Sequence, residues 1–496
     1  MIFSTIEFAI FMTAVFLVYW NIPQKYRWLV LLIANTYFYA CFDARYLIVL
    51  FVTTVISYFG ALHIGRLRSG KLKDDKDFKG RDRAKALFTV YITVTLAFLF
   101  VFKYLNFTIY SLTKALSLIA MPVGDHTLKL LMPVGISFYT FEMVSYLADV
   151  YRGSIEPERN FFKYALFVSF FPNISSGPIE RAGHFIPQLD KEKTFDYDAV
   201  VCGTRLLLAG LVKKIVFADM LAKYVDAVFD HVPEMTGICF LWATLLYTFQ
   251  IYCDFSGYSD MAAGLARMLG FDLVTNFKSP YFSSSIREFW GRWHISLSSW
   301  LRDYVYIPLG GNRCSKLKRD RNLLITFLVS GIWHGASWTF ILWGMIHGFC
   351  QVAENRLREL MGLSGKGKDG AAAGGGLVRR VAAPLITFCV VSFAWLFFRA
   401  NSISEAVHAV RYMFADLSIS NAMLRMTMSW RSVLKTLLAI GAVMIYDRFS
   451  LSRDLLKDMS RLKAPVRWGI YFIAGIMVLT MAANNGSAQE FIYFKF

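Results

Sequence analysis

Of the eight histidines in this 496-residue chain, two stand where an ionisable ring is expensive. His334 lies in Trp333-His-Gly-Ala336, inside the apolar stretch 322–350 and close to Trp338. An imidazole placed in hydrocarbon without partners is strongly disfavoured, so such a ring either bridges helices by hydrogen bonds or does chemistry. Chemistry is the stronger reading, because imidazole exchanges a proton near neutral pH. His294 lies in Arg287-Glu-Phe-Trp-Gly-Arg-Trp-His-Ile-Ser-Leu-Ser-Ser-Trp-Leu-Arg-Asp303. On a helical wheel Trp290, Trp293, Leu297, Trp300, Leu301 and Tyr304 share one arc, opposite Glu288, Arg292, Arg302 and Asp303. The pattern predicts an amphipathic interfacial helix with His294 on its apolar side. There, a ring snorkelling at the interface and a chemical role stand level. His347 follows His334 by thirteen residues, projects from another helical face, and is expected to support packing or a hydrogen-bond network. His63, His126, His231 and His408 sit at loop or span edges as ordinary interfacial side chains, and His184 reads as a loop hydrogen-bonder.

Carboxylates are sparse around these rings. Asp254 and Asp260 follow a strong apolar run; they either pair with Arg267 or Arg287 or line a polar cavity, and pairing is favoured. Glu142 and Asp149, about two turns apart on one helix, pose the same choice. The chain has no P-loop, GxGxxG, HExxH or G-x-S-x-G element, which removes the warrant for nucleotide hydrolysis, zinc proteolysis and α/β-hydrolase chemistry. A histidine without metal partners remains, suited to moving a proton to or from a hydroxyl or thioester group.

The elements that hold these residues must be membrane spans. Hydrophobic residues make up 56% of the chain and charged residues only 18%, against about 25% charge in an ordinary soluble domain. Apolar runs at about 2–20, 28–42, 46–65, 86–105, 236–252, 381–399, 431–447 and 466–483 have the length or character of spans. Stretches 106–120, 131–151, 161–176, 200–220 and 322–350 are helical in period but interrupted by Pro, Gly or charge. Such breaks are tolerated at membrane depth where protein or a water-filled cavity surrounds the backbone, so they point to the middle of the chain as the active region. The net charge of +18 is concentrated in short loops, where it orients spans and contacts anionic lipid, and a nucleic-acid partner is excluded.

Positive-inside reasoning places the loop Arg66–Lys85 in the cytoplasm and the N-terminus outside. It also places 313–321 (Arg313, Lys316, Lys318, Arg319, Arg321) and 356–380 (Arg356, Arg358, Lys366, Lys368, Arg379, Arg380) inside. Two inside flanks forbid a single crossing by 322–350, so that stretch must turn back, near Gly331-Ile-Trp-His-Gly335. Gly365–Gly376 reads as a flexible linker. Seven cysteines without a CxxC pair read as small buried hydrophobes, with no disulfide framework or metal site. Residues 2–20 lack a preceding Lys or Arg and a small-residue cleavage site, so they read as a retained first span.

Five segments in order carry a resemblance: Met132-Pro-Val-Gly-Ile-Ser-Phe-Tyr139, Gly177-Pro-Ile-Glu-Arg181, Phe289-Trp-Gly-Arg-Trp-His-Ile-Ser-Leu-Ser298, Tyr306-Ile-Pro-Leu-Gly-Gly-Asn-Arg313 and Trp333-His-Gly-Ala336. With the ending Phe491-Ile-Tyr-Phe-Lys-Phe496, the chain resembles the membrane-bound O-acyltransferase family, and within it the subgroup that O-acetylates alginate. The resemblance implies an all-α polytopic transmembrane protein, a ring of tilted spans around a thin core with a through-tunnel, plus broken, re-entrant and interfacial helices. It implies one integral-membrane acyltransferase domain over 1–496, with N-terminal spans 1–130, a catalytic core 131–350, a cytoplasmic loop 351–380 and C-terminal spans 381–496. The family's catalytic histidine falls on His334 and its second signature histidine on His294, while Trp333, Trp338, Ser330, Trp293, Asp254, Arg313 and His347 are candidates for substrate contact.

Acetyl-CoA is the implied cytoplasmic acyl donor, with no permanently bound cofactor. The implied acceptor is a hydroxyl of an extracytoplasmic polysaccharide or of a second, extracytoplasmic acetyltransferase, and the implied site is a bacterial inner membrane. Rival expectations are acyl transfer to teichoic acid, peptidoglycan or cellulose, and a transporter or flippase, which would show a repeat between halves. No such repeat is visible in the sequence.

Overall fold

A computed structural model describes residues 1–71, 78–119, 127–128, 130–361, 377–484, 489 and 491–494. His126, the linker 365–376 with Lys366 and Lys368, and the middle of the loop 66–85 lie outside the described residues; Arg379 and Arg380 are described in backbone only. Among the described residues every regular element is helical. The chain divides into two compact units, one of residues 1–207 and 261–274 and the other of 208–260 and 275–496.

The first unit begins with α1 (Ile6–Asn21), α2 (Gln24–Ala40), α3 (Tyr46–Lys71), α4 (Phe78–Leu99) and α5 (Leu105–Leu118). It continues with α6 (Ile136–Arg152), α7 (Phe161–Ser169), α8 (Ala182–Asp190) and most of α9 (Tyr197–Leu211). A π-helical turn at 100–104 joins α4 to α5, so the expected span 86–105 and the interrupted stretch after it form one long apolar element, Asp82–Leu118. α1 has 16 residues, about 24 Å at 1.5 Å per residue, short of the ~30 Å hydrocarbon thickness. Helix α6 is buried along nearly its whole length. Its first residue follows Gly135, whose φ of +73° is costly for any residue with a side chain. A Cβ at this position would also collide with the Ile174 carbonyl oxygen, so the glycine serves both a turn and a close approach.

The second unit contains α10 (Asp219–Phe229), the first part of α11 (Ile238–Met268), α12 (Ile286–Trp290) and α13 (Ile295–Leu301). It then has α14 (Lys316–His334), α15 (Trp338–Leu360), α16 (Leu377–Arg399), α17 (Ile403–Tyr412), α18 (Ile419–Arg425), α19 (Trp430–Ser450), α20 (Leu455–Asp458) and α21 (Ala464–Asn484). Long apolar helices at Tyr46–Arg68, Asp82–Leu118, Ile238–Met268, Val381–Arg399 and Ala464–Ala483 are each able to cross a membrane, and α18 with α19 passes the same test as a pair bent by 93°.

The turn expected near 331–335 falls at Gly335–Ser337, between α14 and α15. The two helices run back along each other: Glu359 near the end of α15 binds Lys316 at 3.1 Å and Arg319 at 2.6 Å at the start of α14. Arg356 closes the same rim on Asp320, with Nε at 2.8 Å from the carboxylate. Closer to the turn, Gly331 and Gly344 let the backbones touch, since a Cβ on either would strike a carbonyl oxygen of the other helix. Charge pins the open end of this hairpin and small residues close its tip, which holds His334 at the last helical position.

Three expectations need correction. Residues 287–304 do not form one amphipathic helix: the chain leaves α12 at Trp290, and His294, with φ of +44°, sits in the left-handed region before α13. Asp254 and Asp260 pair with Lys214 and Lys213, not with Arg267 or Arg287. The reason is a π-helical stretch, 212–218, which presents two successive lysines to α11. Of the seven cysteines only Cys239 and Cys253 are buried, while Cys41 and Cys389 are exposed.

Candidate active site

In the second unit the two signature histidines meet. His294 is fully buried and His334 is 3% exposed, and their ring centroids are 6.5 Å apart. Aromatic rings enclose His334: Trp343 at 4.8 Å, Trp333 at 5.0 Å, Phe398 at 5.3 Å and Tyr493 at 5.6 Å between centroids. The hairpin supplies three of these groups, because Trp333 and His334 end α14 and Trp343 lies in the second turn of α15. Such walls exclude water and weaken dielectric screening, so a proton or a developing charge at the imidazole is felt strongly.

His294 is positioned by backbone geometry that ordinary side chains avoid. A non-glycine residue at positive φ costs of order 1–3 kcal/mol and persists only where its surroundings determine it. Here Asn276 does so, taking Ile295 N–H on its own carbonyl at 3.0 Å and Ser296 N–H on its side-chain oxygen at 3.2 Å. The ring packs edge-on to Phe255 at 4.6 Å and lies 5.9 Å from Trp333. Its burial agrees with the expectation that it avoids water, although the cause is a turn and not a helix face.

His347 is also fully buried, one layer further out. Its Nδ1 accepts a long 3.4 Å bond from the Trp290 indole N–H, and its ring is 5.1 Å from Trp343. Trp293 stacks on Phe289 at 5.5 Å and lies 4.9 Å from Trp395. Ser330, one turn before His334, is buried, and its Oγ has no hydrogen-bond partner among the described residues. Trp338 is 51% exposed at the start of α15, and Arg313 is exposed on the turn before α14. Asp254 is one step removed from the rings, holding Lys214 at 2.6 Å on one oxygen and Ile492 N–H at 2.8 Å on the other. Among the described residues no three His, Cys, Asp or Glu side chains are grouped as metal ligands.

Two residues of this site went unassigned in the sequence. Asn276 stands in an irregular stretch, Leu273-Val-Thr-Asn-Phe277, with nothing to mark it. Tyr493 belongs to the C-terminal segment, which carries a family likeness but no evident role; it folds into the second unit as a short helix, Ile492–Phe494. The Tyr493 ring lies 4.4 Å from Phe255 and 6.3 Å from His294.

The family model of the membrane-bound O-acyltransferases matches residues 157–379, which hold His294, His334 and His347, the three buried histidines among the described residues. A probable alginate O-acetylase of Pseudomonas aeruginosa is 40% identical over 420 residues, covering 84% of this chain and 75% of the relative. The chain belongs to the membrane-bound O-acyltransferase family. A peptidoglycan O-acetyltransferase of Helicobacter pylori is 34% identical over 412 residues, covering 78% of this chain and 73% of that protein. A teichoic acid D-alanyltransferase of Streptococcus thermophilus is 31% identical over 244 residues, covering 46% and 58%. The protein is thus a multi-pass membrane O-acyltransferase, in which acyl donor and hydroxyl acceptor must reach one site.

Proposed function

We propose that this acyltransferase moves an acetyl group from cytoplasmic acetyl-CoA, through a bacterial inner membrane, to a hydroxyl that serves acetylation of an extracytoplasmic, alginate-like polysaccharide. The observation that carries the reading is the pair of buried imidazoles, His294 and His334, at 6.5 Å within an aromatic enclosure. Acetyl rather than D-alanyl transfer is supported by the extent of likeness, 84% of the chain against 46%. A second, extracytoplasmic acetyltransferase is the partner that would take the acetyl group on to polymer. The N-terminus lies outside and the basic rim of the α14–α15 hairpin faces the cytoplasm, where the acyl donor is made.

An alcohol is a poor nucleophile until its proton is taken. His334 acts as general base: its nitrogen removes the hydroxyl proton as the oxygen bonds to the thioester carbon. The carbon–sulfur bond then breaks, and the imidazolium returns the proton to the departing thiolate, leaving an ester and a free thiol. Trp333, Trp343, Phe398 and Tyr493 exclude water, which would otherwise hydrolyse the thioester. An acyl-His334 intermediate is a variant of the same scheme, to be detected as radiolabel trapped on the protein. The test of the whole is transfer from radiolabelled acetyl-CoA in proteoliposomes. Wild type is expected to transfer label, His334→Ala to lose transfer and His294→Ala to be strongly impaired, with folded yield checked by gel filtration. Transfer at the wild-type rate by folded His334→Ala would remove His334 as the base.

A further inference from the structure

Hydrogen-bond direction around Asn276 fixes more than the position of His294. The amide oxygen of Asn276 faces Ser296 N–H at 3.2 Å, and a backbone N–H can only donate. The opposite side of the amide donates from Nδ2 to Ser259 Oγ at 3.2 Å. These two contacts orient the amide, leaving Oδ1 as the atom that faces His294 Nδ1 at 3.1 Å. An oxygen that can only accept requires a hydrogen on the nitrogen opposite it; a lone pair there would face another lone pair. Ser296 Oγ lies 2.9 Å from the same oxygen and 3.5 Å from His294 Nδ1; with its hydrogen given to the nearer amide oxygen it turns only a lone pair to Nδ1, which again calls for a hydrogen on that nitrogen. The proton of neutral His294 is therefore on Nδ1, and the lone pair is on Nε2. Nε2 is buried and has no hydrogen-bond partner among the described residues.

We infer that Asn276 is a positioning residue that locks His294 in its Nδ1–H form and thereby presents a basic Nε2 to the site. The inference rests on the acyl-transfer reading above and narrows the part His294 can play in it. A neutral His294 in this form cannot donate from Nε2 to a developing oxyanion. It can accept, taking a hydrogen bond from the acceptor hydroxyl or from a protonated His334. His294 is thus the proton-accepting partner of His334, and Asn276 keeps it so, as second groups that bind the far nitrogen of a catalytic or metal-bound imidazole do elsewhere.

Two measurements test this. The first is direct and needs no turnover: nitrogen NMR of full-length protein labelled with 15N-histidine in lipid bilayers, with the His294 signals assigned by their loss in His294→Gln. Protonated Nδ1 and bare Nε2 are expected in wild type and in Asn276→Asp, whose carboxylate also accepts from Nδ1, and a mixture or the reverse in Asn276→Ala. A proton on Nε2 in wild type overturns the inference.

The second measurement is a kinetic cycle. Asn276→Ala is expected to lower kcat at least tenfold with KM for acetyl-CoA little changed, Asn276→Asp to recover part of that loss, and Asn276→Ala to have no further effect in a His294→Gln background. Multiplying effects in the double variant would mean that Asn276 acts on the fold and not through His294, which overturns the positioning role. Should Asn276→Ala fail to fold, the wild-type and Asn276→Asp spectra still decide the tautomer. If folded wild type transfers no label from acetyl-CoA while the tautomer is as inferred, it is the acyl-transfer assignment that fails; if His334→Ala keeps wild-type transfer, only the role of His334 as base is lost.

Discussion

The five recognisable segments divide between the two compact units, and the two groups use their residues differently. In the first unit, α6, which Met132–Tyr139 leads into, and the loop that runs through Ile174 into Gly177–Arg181 build a backbone junction. Gly135 turns the chain under the Ile174 carbonyl, Glu142 accepts Glu180 N–H at 3.0 Å and Asn173 Nδ2 at 2.9 Å, and Glu180 accepts Val274 N–H at 2.6 Å. These two carboxylates thus hold main chain at 180 and 274 and the side chains of Asn173 and His184. In the second unit, the segments around His294 and His334 keep imidazoles at the centre and recruit Asn276, Trp343 and the tail to hold them. Equal legibility as motifs conceals unequal chemistry: a fixed glycine or glutamate can mark a joint as readily as a site.

The largest test of that contrast is His334→Ala. A general base contributes about 10²–10⁴-fold, so acyl transfer per folded molecule is expected to fall by that order while thermal stability changes little. In the first unit the pattern should invert. Gly135→Ala forces a Cβ into the Ile174 carbonyl at positive φ, for which roughly 2–4 kcal/mol of lost stability is expected. Folded yield should drop, and the molecules that do fold should turn over at the wild-type rate. A normally folded Gly135→Ala protein with reduced turnover would bring the first unit into the chemistry and dissolve the distinction.

The tail provides an intermediate case. Asp254→Ala leaves Lys214 with Asp219 at 2.9 Å but takes the acceptor from Ile492 N–H. An unsatisfied buried donor costs about 1–3 kcal/mol, which at about 1.4 kcal/mol per factor of ten moves the balance between docked and released tail roughly 5- to 150-fold toward release of Tyr493 from His334. Cleavage near the C-terminus by a protease should become faster, and acyl transfer slower in proportion to the fraction of tail released. Faster cleavage with unchanged transfer would show the Tyr493 wall to be dispensable.

What could be read from the sequence follows the range of the interactions concerned. Most of the spans and the α14–α15 turn are local: apolar runs, basic flanks and a glycine-rich tip suffice, and the observed turn lies within a few residues of the expected one. By contrast α1 and α2, expected as spans over 2–20 and 28–42, are too short to count among the crossing helices. The helical wheel over 287–304 failed because a long-range amide, Asn276, holds His294 in a conformation that no local propensity favours. The lysine partners of Asp254 and Asp260 were hidden for the same reason, since a π-helical insertion shifts which side chains face α11 without altering the apolar pattern. Tyr493 was hidden by distance, with nearly 160 residues between it and the histidine it borders.

The smallest expected effect lies at the open end of the hairpin. Arg319 first, then Lys316, hold the Glu359 carboxyl well below its usual pKa. A depressed carboxyl stabilises the fold above its unfolded value, about 4.3, and that contribution disappears as pH falls through the folded value. Glu359→Gln should therefore melt slightly below wild type from neutral pH down to about pH 5, with the gap closing in stronger acid and shrinking in high salt. Its acyl transfer should be unchanged, because the tip that carries His334 is fixed separately by Gly331 and Gly344. A marked loss of transfer in Glu359→Gln at unchanged stability would instead make the basic rim part of the donor's path, and Lys316 and Arg319 would then be read as phosphate contacts and not only as clasps.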